Sequence, residues 1–144
     1  MKLVYDLIKE SINESGYSTY FQDMPLLQLQ DITDLTFVFS SKEDAKTQVD
    51  IGNTTTVYGE QDYLIYLVTD DLYYNESQDG SMTSILLKIY KKIVSKVPYT
   101  GTDTNGTHRV YTVSNPVTTF SGKDERGRRI AEITFKVFWR YNYG

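Results

Sequence analysis

No cysteine occurs among the 144 residues of the chain. Its absence excludes a disulfide framework and every thiolate-held metal site, and it fits a reducing compartment. Histidine is almost as scarce. His108 is the only one, so no histidine-based metal cluster or triad can be assembled, and a lone histidine beside a turn reads as exposed and inert. No apolar run approaches the roughly 20 residues a membrane-spanning helix needs. Charge interrupts Met1–Glu10 every few residues, unlike the continuous apolar region of a signal peptide. A basic excess is also missing: the formal net charge is −4 and the isoelectric point about 4.9, which argues against a dedicated nucleic-acid binder.

Phosphate loops and calcium loops are missing as well. Gly122 and Gly127 flank a charged turn, not a strand-to-helix junction. The acids Asp70, Asp71, Glu76 and Asp79 crowd one polar segment without the spacing of a calcium loop, as do the residues around Asp103–Gly106. Polar-turn chemistry accounts for them. The expectation is a protein that is not an enzyme and carries no cofactor or metal.

Tyrosine, in contrast, is plentiful: 13, against 6 phenylalanines and 1 tryptophan. Tyrosine favours half-buried pleated surfaces, and it also supplies area with a polar tip at protein–protein contacts. With 40% apolar and 24% charged residues, the chain has the composition of one folded domain, residues 1–144.

Periodicity places the elements. Leu3, Val4, Leu7, Ile8 and Ile12 recur at helical spacing over 2–15, with Gly16 where a C-terminal cap belongs. Residues 17–21 suit a short strand, and 26–40 are extended, with Leu35, Phe37 and Phe39 on one face. The stretch 41–53 reads as a loop or the solvated start of a strand, and a strand resumes over 54–58. A second helix spans 81–97, with Ser81 as N-cap, Pro98 as stop and an apolar stripe of Met82, Ile85, Leu86, Ile89, Ile93, Val94 and Val97. Lys88, Lys91, Lys92 and Lys96 take its other face. The Asp103–Gly106 segment is a turn. After it comes a long hairpin over 108–141, whose second arm alternates Ile133, Phe135, Val137, Trp139 and Tyr141 against Glu132, Thr134, Lys136 and Arg140. Pro116 cannot donate a ladder hydrogen bond, so the first arm is bulged there or lies at an edge.

These elements predict an α+β fold: an antiparallel or mixed β-sheet with two helices packed on one face and a long C-terminal β-hairpin. Tyr63–Val68 is apolar at six successive positions, which asks for cover on both faces. Two helices supply one cover. The second is expected from the segment 41–58 folding back or from a neighbouring subunit.

The element order, together with Pro116-Val117-Thr118-Thr119-Phe120-Ser121-Gly122-Lys123-Asp124-Glu125-Arg126-Gly127-Arg128, resembles the tail-terminator (minor capsid, head–tail joining) proteins of long-tailed bacteriophages. Their hairpin carries a proline and then a small-Gly-x-Asp-x-x-Gly-Arg turn before a final apolar strand. The resemblance implies a structural virion protein: a homo-hexameric ring on the end of the tail tube. Such a ring stops tube polymerisation and offers a surface for head–tail joining. The implied partners are further copies of the chain, the major tail tube protein and a head connector or stopper, with no membrane. Genomic DNA passes through without specific binding, which an acidic chain suits. The implied location is the tail–head junction of the virion, after assembly in the host cytoplasm. Candidate interface residues are the hairpin tip (Lys123, Asp124, Glu125, Arg126, Arg128 and Arg129) together with Tyr63 and Tyr66. On that expectation, replacing Arg126, Arg128 and Arg129 by serine leaves the fold intact and prevents joining. The alternative is a small ferredoxin-like monomeric binding module for RNA or peptide, with one aromatic sheet face open to solvent.

Overall fold

A computed structural model describes residues 2–26, 35–42, 46–49, 56–70, 82–123 and 127–143. The described residues form, in chain order, α1 (Lys2–Glu14), β1 (Tyr20–Gln22), β2 (Thr36–Ser41), β3 (Lys46–Val49), β4 (Thr56–Asp70), α2 (Met82–Lys96), β5 (Tyr99–Asp103), β6 (Gly106–Lys123) and β7 (Arg128–Tyr143). Hydrogen bonding orders the sheet β1-β2-β4-β7-β6-β5, with β3 paired to β4 beyond the end of β2. Among the described strands only β1 and β2 pair parallel. The fold is α+β, with a mixed sheet, both helices on one face and a long C-terminal hairpin, β6–β7.

Helix α1 buries Val4, Leu7, Ile8 and Ile12, the stripe its spacing announces. It stops because Gly16 turns left-handed (φ 96°), letting the Gly16 and Tyr17 N–H groups donate to the carbonyls of Asn13 and Ile12. Helix α2 buries Met82, Ile85, Leu86, Ile89 and Ile93, whereas Val94 lies exposed on its outer side. Ser81 falls outside the described residues. Both helices pack on Phe37 and Phe39 of β2, Tyr63, Ile65 and Leu67 of β4, and Ile133, Phe135 and Val137 of β7. Each such side chain contributes roughly 1.5–3 kcal/mol by leaving water. A polar seam runs beside this core: the Lys96 ammonium meets Glu10 at 3.2 Å and Glu14 at 3.0 Å, and Tyr99 donates to Glu10 at 2.8 Å.

The structure differs from the sequence-based expectation in three places. Residues 56–70 are one strand rather than two, because β4 pairs with β7 along its full length and with β2 and β3 on its other side. That two-sided pairing carries the polar run Glu60-Gln61-Asp62 along with it. Second, the strand alternative for 41–53 holds at Lys46–Val49, but as a separate strand paired antiparallel to β4 rather than as the start of the strand that resumes over 54–58. Third, part of the second cover over the apolar strand comes from a source that the sequence does not suggest. β3 lies in the plane of the sheet, while Met24 and Leu26 pack with Tyr66 and Ile130 on Val38 and Val68. Asp23 makes this crossing possible: left-handed (φ 55°), it ends β1 with its N–H bonded to the Phe39 carbonyl. Its carboxylate accepts from Tyr5 Oη at 2.9 Å.

Pro116 sits in a bulge and also where no strand among the described residues pairs with the outer side of β6, so both sequence alternatives hold. The β6–β7 register gains an extra β6 residue at three places: between Val110 and Thr112, between Ser114 and Val117, and between Phe120 and Gly122. Asn115, left-handed at φ 57°, opens the middle one.

Candidate interaction surfaces

The hairpin tip and two tyrosines are the residues that sequence alone marks for contact. Asp124, Glu125 and Arg126 lie outside the described residues. Lys123 is placed by its backbone, paired with Arg129. Arg128 is not a free docking group. It is 8% exposed, and both terminal guanidinium nitrogens donate to the Leu26 carbonyl at 3.3 Å. Arg128 thus clamps the segment that covers Val38 and Val68, so its replacement by serine is not neutral to the fold as expected. Tyr63 has no exposed surface. It packs between Tyr5 and Phe135, and burial raises the pKa of its phenol, so it belongs to the core and not to a contact surface. Tyr66 is half-buried on the opposite face. Burial first, and then its register neighbour Glu132, raise its phenol pKa.

The sheet has two unlike edges. On one side β1 ends the order, with Phe21 exposed at 39%. On the other, β5 covers β6 only from Gly106 to Val110. From Tyr111 to Lys123, no strand among the described residues pairs with the outer side of β6, and this arm exposes Val117 at 57% and Phe120 at 42%. An exposed strand edge with apolar side chains is a template for pairing with another chain, and bulges restrict what can pair there.

The sheet face turned away from the helices is only partly covered. Met24 and Leu26 roof one end; the other end carries Tyr58, Arg109, Tyr111 and Arg140 around an open cleft of about 280 Å³. Register sets this group: Tyr58 of β4 lies opposite Arg140 of β7, which lies opposite Arg109 of β6. Tyr111 is the extra residue of the first bulge and leans on Phe138, ring centroids 6.4 Å apart. Sequence alternation puts Arg140 on the polar face but cannot show Arg109 beside it, because that needs the β6–β7 register.

His108 is neither fully exposed nor isolated, contrary to expectation. Its ring stacks on Tyr141 at 4.0 Å between centroids, and Nε2 lies 2.8 Å from Asp103 Oδ2. The imidazole and two turn N–H groups, those of Asn105 and Gly106, hold the Asp103 carboxyl below its ordinary pKa, His108 being the largest cause. The group organises the β5–β6 turn. Lys88, Lys92 and Lys96 of α2 are also engaged: Lys88 donates to the Ser15 carbonyl at 3.1 Å, and the other two meet Glu14. Among the described residues, no three histidine, aspartate or glutamate side chains gather as metal ligands. Asp71, Glu76 and Asp79 lie outside those residues, and Asp70 is placed only by its backbone. No helix among the described residues is long and apolar enough to cross a membrane. No protein-family model and no curated protein sequence matches the chain.

Proposed function

We propose that the chain is a ring-forming structural protein of the virion, a tail terminator that caps the tail tube and presents the surface to which the head connector binds. The observation that carries the reading is the pair of unlike sheet edges, β1 with Phe21 and the outer side of β6 with Val117 and Phe120. Two different surfaces meeting between copies make a head-to-tail contact, and such contacts close into rings when the rotation permits. The three bulges and Pro116 narrow the partners that the β6 edge accepts, which disfavours open-ended stacking. The net charge of −4 suits a conduit through which DNA slides without adhering.

The test is to put charge on that edge. Val117→Lys with Phe120→Lys is expected to leave the circular dichroism spectrum unchanged. It should abolish rings, seen by electron microscopy or by light scattering after size exclusion, with purified protein alone or with tail tubes. Rings that form equally well with both lysines in place would sink the proposal. The open end of the second sheet face, with Tyr58, Tyr111 and Phe138 partly exposed, supports a second reading, a monomeric binding module for RNA or peptide. That reading expects a monomer under all these conditions.

A further inference from the structure

Arg109 and Arg140 stand directly opposite each other on neighbouring strands, on the sheet face that the helices leave open. Like charges in that position repel, and a sheet gains nothing from them. Neighbouring charges elsewhere on this face are matched: Lys136 lies 3.9 Å from Glu60, and Glu132 interacts with Tyr66. Neither Arg109 nor Arg140 makes a hydrogen bond or ion pair with another of the described residues. Their directly opposed and same-strand neighbours on this face are otherwise uncharged, and the nearest carboxylate in register, Glu60 opposite Phe138, is the one that lies beside Lys136. Tyr58 flanks Arg140 on the β4 side, Phe138 and Asn142 lie two residues away on the same face of β7, and Tyr111 follows Arg109.

Two guanidinium groups lining one cleft, each planar and permanently charged, offer N–H donors suited to an oxyanion with several acceptor oxygens. The cleft of about 280 Å³ is walled by tyrosine on both sides, and tyrosine rings accept a flat aromatic ring by stacking. We propose that this cleft binds a nucleotide unit, its phosphate held between Arg109 and Arg140 and its base laid against Tyr58 or Tyr111. The inference deepens the binding-module reading and rests on the open sheet face, not on the edges that would build a ring. The acidic balance of the chain as a whole limits the site to one or two phosphates rather than a long tract.

Calorimetric titration at low salt tests it, with adenosine monophosphate, adenosine, inorganic phosphate, a tetradeoxyadenylate and a hexaglutamate peptide as probes. The monophosphate is expected to bind saturably and at least about tenfold more tightly than adenosine or phosphate alone, as one stacked base allows. Arg109→Gln and Arg140→Gln should each weaken it about tenfold or more with an unchanged circular dichroism spectrum. Tyr111→Leu should weaken the monophosphate but not inorganic phosphate. A tetranucleotide that binds more tightly than the monophosphate supports a single strand as the source, and equal affinity supports a free nucleotide. Absence of saturable binding, indifference to Arg140→Gln, or tighter binding of hexaglutamate each overturns the proposal. The hexaglutamate outcome would still leave a binding module for acidic peptide, so the two failures are distinguishable.

Discussion

Gly59 should be among the least replaceable residues of the sheet. It lies directly opposite Trp139, and the indole of Trp139 occupies the space where a β-carbon on residue 59 would sit. Gly59→Ala therefore cannot be accommodated by a small adjustment. The six- and five-membered rings must swing away from β4, surrendering part of the tryptophan's packing on the helix-side core. Overpacking of this kind costs about 1–3 kcal/mol. With an unfolding entropy of roughly 2.1 cal/mol/K per residue, 2 kcal/mol corresponds to a loss of about 6–7 °C in Tm for a domain of this length. Trp139 is the only tryptophan, so intrinsic fluorescence reports its displacement without interference, and Gly59→Ala should shift its emission maximum. The second arm of the test removes the ring. In a Trp139→Leu background, followed by circular dichroism, the same glycine substitution should be neutral or stabilising by about 0.4–1 kcal/mol, because alanine restricts the unfolded chain. The two substitutions should thus couple by about 2 kcal/mol or more. An equal cost for Gly59→Ala with and without the indole would refute the argument.

Tyr5→Phe should cost about 1–2 kcal/mol in urea denaturation, because the hydroxyl both donates to Asp23 and accepts from the Ser41 N–H at 3.2 Å; a cost below the error of the measurement would remove that hydroxyl from the account. Arg128→Ala should cost about 1.5–3 kcal/mol, and should open the chain near Met24–Leu26 to proteolysis, where the wild type resists it. The pKa values of Glu14 and Asp103 are both lowered in the fold, Glu14 mainly by Lys96 and Asp103 mainly by His108. Their contributions are therefore present above the ordinary carboxylate pKa and fade as the pH falls through the lowered values. Glu14→Gln should flatten the fall of the urea midpoint below about pH 4.5, modestly because the pair is exposed, and an unchanged acid limb would refute the assignment.

Local signals were legible where a short window contains the whole cause. The stripe and Gly16 define α1, the alternation from Ile133 to Tyr141 defines the core face of β7, and Pro116 announces a bulge. Features that depend on distant partners were not legible. Residues 59–62 read as an interruption because the pairing that holds them in β4 comes from β3 and from β7. The cover over Val68 rests on Met24 and Leu26, too short a piece to have a period, and on Arg128, about a hundred residues away in the chain. Tyr63 and Tyr66 look alike in sequence, yet period 2 sends one into the core and the other to the opposite face. The sequence signal for Arg128 as a basic tip residue was real, but its burial and its Leu26 partner depend on tertiary structure.

Strand β4 has a temporal consequence. Its partner along the entire length is β7, with Thr56 matched to Asn142 at one end and Asp70 to Arg128 at the other. During synthesis β4 therefore leaves the ribosome long before the strand that completes the middle of the sheet. The apolar faces of Ile65 and Leu67 must wait while α2, β5 and β6 are made. Closing a sheet through contacts this remote in sequence is slow. The nascent chain should remain unfolded, and dependent on a holding factor or on rapid translation, until β7 emerges.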